Sequence, residues 1–321
     1  MRIVVIGAGL SGLVAARELT AAGADVTVLE RGRSPGGRLA TRRIGEATFD
    51  HGAQFFTVRT PAFGTTVERW IERGLVTVWN HGFGDPDGHP RYCAPRGMSS
   101  LAKDLAATVV EGLGGGSAGC IEFNTMAFAV RRTDDGLRVI VDDGSARPAD
   151  AVISTCPLPQ TFSLLVDAGI DFDEQVFRTD YARTLTLLAV LDGPPVDLPA
   201  GGRQLDGPVL SFVGDNASKG VSVVPALTAH ASDEWSGAHW DDDDDAILAA
   251  LGDAAAPWIG EASIVERQLK RWRFATPLSI SDDPCWVSPS RDIVAAGDAF
   301  AGPRVEGAHN SGLAAAHTLL A

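Results

Sequence analysis

Residues 4–18, VVIGAGLSGLVAARE, constrain the fold more than any other stretch of the chain. Small apolar residues run into Gly7-x-Gly9-x-x-Gly12, and an alanine-rich segment follows at once. The pattern predicts a strand over 2–6, a loop over 7–12, a helix over 13–22 stopped by Gly23, and a second strand over 25–30. In a β-α-β unit of this kind Gly7 permits the tight turn, Gly9 lets a pyrophosphate approach the backbone, and Gly12 lets helix and strand pack closely. Leu10 and Ser11 complete the loop, whose exit into the helix offers free N–H groups and partial positive charge to phosphate. Glu30 ends the second strand at about the twenty-residue spacing of a ribose-binding carboxylate, and Arg31 follows it.

FAD and NAD share this fingerprint, and the next stretch separates them. In RGRSPGGRLATRR (31–43) a second glycine pair, Gly36-Gly37, lets another backbone segment approach a long cofactor. Arg38 supplies a fixed cation for a phosphate or a flavin edge, with Thr41 close behind. A plain NAD dehydrogenase has no use for that pair, which favours non-covalently bound FAD. The C-terminal AAGDAFAGPRVEGAHNSGLAAAHTLL (295–320) agrees. Gly297-Asp298 after a strand offers a carboxylate to a ribityl hydroxyl. The start of a helix over 306–320, near Val305, Glu306 and Gly307, can stabilise negative charge on a reduced flavin.

Composition narrows the rest. With 321 residues, 45% of them hydrophobic, the chain can bury a sizeable core in one large domain or two interleaved ones. Its 27 Lys and Arg against 41 Asp and Glu give a net charge of -14, which excludes a nucleic-acid partner. The apolar stretch over 3–6 is too short for a secretory segment, and no run approaches a membrane span, so the expectation is a cytoplasmic protein without membrane contact. Cys93, Cys120, Cys156 and Cys285 lie far apart and read as buried free thiols, and the seven histidines are scattered, so no metal is expected.

Further along, a helix is predicted over 63–73, a strand over 75–79, and an insertion loop rich in Gly, Pro and Asp over 80–92. A helix over 99–110 precedes strands and turns over 127–155, of which 151–155 is apolar enough to be a buried strand. Residues 158–280 mix helices with alternating strands such as 184–191. The run Asp241 to Asp245 lacks the alternating ligands of a calcium loop and reads as the acidic first turn before a helix over 246–251.

Taken with the glycine motifs, Glu30 and Gly297-Asp298, the chain resembles the FAD-dependent amine oxidase superfamily. Within it, FDHGAQFFTVRTPAF (49–63), APRGMSSLAKDLA (94–106), GDNASKG (214–220), RWRFATP (271–277) and GDAFAGPRVEGAHNSG (297–312) are similar to the renalase-like oxidoreductases, the bacterial ones in particular. The resemblance implies an α/β fold. A Rossmann-type FAD-binding domain of the glutathione-reductase-like kind (1–62, 93–157 and 286–321) would be interleaved with an α+β substrate domain (63–92 and 158–285), with substrate between them. It implies oxidation of aberrant dihydronicotinamide isomers, reduced at the 2- or 6-position, to NAD(P)+, with hydride passing to flavin N5 and O2 becoming hydrogen peroxide. It also implies Gly52, Ala53 and Gln54 as flavin-proximal residues, and Gly97-Met98 as a turn near the isoalloxazine.

For the substrate pocket the candidates are Tyr181, Arg183, His230, His309 and Asn310, with His230 expected just after an apolar strand and equally readable as structural. Trp272 and Phe274 alternate on a strand, serving the core or a wall beside the ring. No acid or base is obligatory, because aromatisation drives hydride loss from a dihydropyridine. Three alternatives stand beside this reading. One is a flavin amine oxidase with a cage from Tyr92 and Tyr181; the others are a non-catalytic FAD-binding protein and a desaturase, which would want a membrane-binding surface. The oligomeric state is left open.

Overall fold

The computed structural model describes residues 1–84, 88–112, 118–170, 176 and 179–321, so three residues of the insertion loop, 85–87, lie outside the described residues. Packing divides the chain into two units: Met1–Gly37, Leu101–Asp180 and Pro277–Ala321 form the first, Arg38–Ser100 and Tyr181–Thr276 the second. The cuts differ from those drawn on sequence. Residues 38–62 and 93–100 pack with the second unit, and 158–170 and 277–285 with the first. The hairpin of Thr41–Ile44 and Ala47–Asp50 shows why: Ile44, Ala47 and Phe49 are buried against Leu188 and Ala226 of the second unit's sheet.

In the first unit, strands β1 (Arg2–Ile6) and β2 (Asp25–Glu30) flank helix α1 (Leu10–Ala21). Both strands have the expected bounds, but α1 begins at Leu10 rather than 13, with Gly9 as its N-cap and Gly12 inside its first turn. A Cβ on Gly12 would lie 2.0 Å from the Gly7 carbonyl oxygen, so this glycine serves the helix by lacking a side chain where the turn is tightest. The sheet runs Trp286–Val287, Ile293–Ala295, Ala151–Ser154, β1, β2, Cys120–Phe123, parallel throughout except at the first pair. Ile6 pairs with both Leu29 and Ser154, aligning the carboxyl ends of three strands at one edge, the ligand-binding edge of such sheets.

Val4, Ile6, Leu29, Val152 and Ile293 bury one face of this sheet among Val130, Leu137, Val139 and Val141 of a three-stranded antiparallel sheet. Each such side chain contributes ~1.5–3 kcal/mol on burial. The terminal helix Val305–Leu320 packs along α1 so closely that a Cβ on Gly312 would sit 2.3 Å from the Ser11 carbonyl oxygen. All four cysteines are free; Cys93 and Cys285 are buried, but Cys120 is exposed because its strand is the sheet's edge, which corrects its reading as a buried thiol.

The second unit is built on a five-stranded sheet ordered Gly202–Gln204, Leu210–Asp215, Ala226–Ala231, Tyr181–Leu191, Ile264–Pro277. Along Tyr181–Leu191, Leu185, Leu187, Ala189 and Leu191 join the core under helix Asp244–Ile259, while Leu188 faces the hairpin and Phe49. The acidic run supplies the first turn as expected, although the helix runs from Asp244 to Ile259 rather than over 246–251: the Asp243 carboxylate accepts from the Asp245 and Ala246 N–H groups, and Asp244 and Asp245 occupy the first turn. His230 lies inside strand Ala226–Ala231 rather than beyond it, held in register opposite Thr186 and Phe212. Among the described residues no helix is long and apolar enough to cross a membrane.

Candidate functional site

In the first unit the glycine loop is shaped before any ligand arrives. Gly7 takes φ +105°, its N–H donates to the Leu29 carbonyl at 2.8 Å, and the Gly36 N–H donates to the Ala8 carbonyl at 2.9 Å. The Thr155 hydroxyl donates to the carbonyls of Ile6 (2.9 Å) and Gly7 (3.3 Å), bracing the loop from the neighbouring strand. At Gly9 a Cβ would meet nothing within 4 Å, so the loop presents open backbone there. No side chain caps the start of α1, no acidic residue sits in its first turn, and the buried Ser11 hydroxyl has no partner in the protein. Open backbone, unpaired N–H groups and an orphaned hydroxyl together fit a pyrophosphate.

Glu30 accepts from the Ala8 N–H at 2.9 Å and the Gly32 N–H at 2.7 Å, so its carboxylate ties both sides of the loop while keeping lone pairs for ribose hydroxyls. Arg31 and Gly37 beside it are exposed, and Gly36 is buried. Just after the last strand, Gly297 (φ +151°) donates its N–H to the Ser311 hydroxyl, and a Cβ there would meet nothing within 4 Å. Asp298 and Glu306 are buried, and Gly307 presses on Gly302, whose carbonyl oxygen would stand 2.0 Å from a Cβ. Val305 opens the terminal helix, which again has no side-chain cap. His309 is fully enclosed, its Nδ1 3.1 Å from the Asn310 Oδ1. Burial lowers its pKa to about 4. Placed in the packing of the terminal helix, it has no surface open to a substrate, contrary to expectation; Asn310 is half-buried.

The second unit gathers its polar groups around Asp50, at the end of the hairpin. Its Oδ1 accepts from the Thr41 hydroxyl (2.7 Å) and the Met98 N–H (2.8 Å), and its Oδ2 pairs with the Lys219 ammonium at 3.1 Å, both side chains fully enclosed. The Asp50 N–H donates to Asn216 Oδ1, and its carbonyl accepts from Gln54 Nε2 and the Thr228 hydroxyl. Gly97 (φ +83°) turns the chain into Met98, which is buried. Gly52 lies so close to Arg38 that a Cβ would stand 2.0 Å from its carbonyl oxygen, to which the Ala53 N–H donates. The Arg38 guanidinium donates to the Ala275 carbonyl at 3.0 Å.

Gln54 joins this cluster to His230. Its Oε1 accepts from Lys219 at 3.2 Å, and its Nε2 lies 3.1 Å from His230 Nε2, while His230 Nδ1 lies 3.1 Å from the Thr186 hydroxyl. Both ring nitrogens are thus engaged, leaving a ring face and edge for any ligand. Burial, then the charges of His51 and Lys219, lower the His230 pKa to about 3. His51, stacked on Trp272 at 5.3 Å, is lowered to about 4 by burial and then by Lys270 and Arg42. Around Phe212, which lies 6.1 Å from His230, stand Phe55 and Phe83, and Trp79 meets Phe83 edge-on at 5.1 Å.

Gln54, Met98 and His230 are therefore brought into one network, whereas Tyr181 meets Phe274 edge-on and Arg183 lies over Trp240. Tyr92 stacks on Phe56 in a different aromatic cluster from Tyr181. Sequence reasoning missed Asp50 and Lys219, although both lie in stretches that carried the resemblance; a lone lysine in GDNASKG, close to apolar strands, was the available signal.

A family described as NAD(P)-binding Rossmann-like domain matches residues 5–70, and one described as flavin containing amine oxidoreductase matches residues 62–320. Mouse renalase is 28% identical over 180 residues, covering 52% of this chain and 50% of its own length. The putative flavin-containing monoamine oxidase AofH of Mycobacterium tuberculosis is 47% identical over 79 residues, 25% of this chain and 17% of its own. Hydroxyneurosporene desaturase of Rubrivivax gelatinosus is 38% identical over 77 residues, 22% of this chain and 15% of its own. The chain thus spans half or less of these curated relatives. Among solved structures, putrescine oxidase superposes with a TM-score of 0.73 at 16% identity, covering 100% of this chain and 99% of that one. A putative protoporphyrinogen oxidase from Exiguobacterium superposes with a TM-score of 0.72 at 14% identity, covering 99% and 98%.

Proposed function

Since the chain belongs to the flavin containing amine oxidoreductase family, we propose that it is an FAD-dependent oxidoreductase whose substrates are dihydronicotinamide isomers reduced at the 2- or 6-position, as in the renalase-like group. One observation carries this choice over an amine: the enclosed carboxylate of the second unit, Asp50, is already neutralised by Lys219, beside a wall of Phe55, Phe83, Phe212 and neutral His230. Such a wall suits a flat, uncharged ring. A protonated amine would find this carboxylate already paired with Lys219, and Tyr92 and Tyr181 lie in separate clusters rather than in one cage.

When bound, FAD would supply a two-electron acceptor for hydride from the substrate ring, with O2 as the terminal oxidant and hydrogen peroxide as its product. The chain's own part is to bind and orient. The glycine loop, Glu30 and Asp298 would hold the dinucleotide, with Arg38, Gly52, Ala53, Gln54, Gly97 and Met98 as the proposed flavin-proximal set. No residue needs to remove a proton from a dihydropyridine, which accords with histidines held neutral.

The test is anaerobic mixing of the yellow protein with the 2-, 4- and 6-dihydronicotinamide isomers, following flavin absorbance, and then admitting air. Bleaching by the 2- or 6-isomer, but not by ordinary NAD(P)H, with peroxide on reoxidation, is the expected result. Bleaching by amines alone would transfer the protein to the amine oxidases, and no bleaching by either would leave a non-catalytic flavoprotein.

A further inference from the structure

Among the described residues of the second unit, Asp50 is the one buried carboxylate, and the chain itself provides its counter-ion. Lys219 is one of three lysines, with Lys103 and Lys270, and the one whose residue is buried. Its ammonium nitrogen lies 3.1 Å from Asp50 Oδ2, 3.2 Å from Gln54 Oε1 and 5.1 Å from the centroid of the Trp79 ring. A carboxylate, an amide carbonyl and an aromatic face around one nitrogen form a full recognition set for an alkylammonium ion. The rest of the shell is fixed: Asp50 is held by Thr41 and the Met98 N–H, and Gln54 by the Asp50 carbonyl.

We propose that Lys219 is a specificity-determining residue, its side chain filling an alkylammonium site so that amines find their place already taken. The inference rests on the dihydronicotinamide reading and deepens it: the fold's amine-binding capacity is present here but internally occupied. Lys219 enters from the hairpin between Leu210–Asp215 and Ala226–Ala231, where its neighbours Ser218 and Gly220 are exposed, so truncating it opens a short path from solvent. Lys219→Ala deletes three methylenes and the ammonium, which n-propylammonium replaces atom for atom.

The experiment is thermal unfolding of FAD-loaded Lys219→Ala against n-propylammonium chloride at constant ionic strength, with n-propanol and potassium chloride as controls. A saturable rise of Tm is expected, on the order of several degrees as ligand passes well beyond its Kd, with none for n-propanol. Wild type and the charge-balanced Asp50→Asn/Lys219→Ala variant should not respond. No saturable rise, or an equal one in the double variant, overturns the proposal. If Lys219→Ala does not fold alone, soluble recovery only when n-propylammonium is present in the culture or refolding buffer supports it. Failure to recover with the amine, while the double variant folds, overturns it. Because unfolding rather than turnover is read, rescue without any oxidation of dihydronicotinamides by wild type would sink the substrate reading and leave the site standing. Oxidation without rescue would do the reverse.

Discussion

Glu30 is the residue at which sequence and structure agree while the structure adds a second duty. Its spacing from the glycine loop predicted a ribose contact, and its carboxylate also takes the N–H groups of Ala8 and Gly32. Glu30→Ala should therefore weaken FAD binding about 10–100-fold and lower the Tm of the FAD-free protein as well, since two backbone donors lose an acceptor worth ~1–3 kcal/mol each to a charged group. Equilibrium dialysis and apoprotein melting measure the two effects separately; unchanged apoprotein Tm would refute the bracing role. Other residues were legible only in part. Asp50 and Lys219 are 169 positions apart, and no periodicity or spacing relates a hairpin end to a distant turn. His309 reads as a pocket residue because it follows a glycine turn, yet the helix rotates it into the packing along α1.

Among elements, those whose limits are set by their own composition were legible. β1 ends where its continuous apolar run meets Gly7, β2 ends at Glu30, and the Asp243 cap marks the start of helix Asp244–Ile259. The start of α1 was misplaced because glycine is a poor helix former, and its value at position 12 comes from what it leaves room for. Gly12→Ala should displace the Gly7 carbonyl, with which a Cβ would overlap at 2.0 Å, and open the phosphate cradle. The expected outcome is a folded protein purified with little FAD, checked by the ratio of flavin to protein absorbance; full occupancy would show that the loop yields without cost. The division between units was less legible, because the hairpin 41–50 is attached by long-range burial of Phe49 against Leu188 and leaves no mark in local sequence.

For the whole molecule, the enclosed histidines predict how stability varies with acidity. His51 and His309 are lowered to about 4 and His230 to about 3 from an ordinary 6.5, chiefly by burial. As pH falls below about 6.5 the unfolded chain takes up these protons first, so the folded state loses stability progressively down to about 3–4. For fully enclosed His309 the shift corresponds to ~3 kcal/mol. Urea unfolding at pH 7 and pH 5 should show the loss, and His309→Gln should flatten the slope; an unchanged slope would refute the assignment to His309. The interleaving of the two units also sets a timetable. Strand Ala151–Ser154 pairs on one side with β1, already synthesised, and on the other with Ile293–Ala295, near the end of the chain. At ~5–20 residues per second on the ribosome, that second neighbour arrives roughly 7–28 s later. During this wait the growing polypeptide displays a bare, apolar parallel edge, a template for unwanted strand pairing until residues 293–295 cover it.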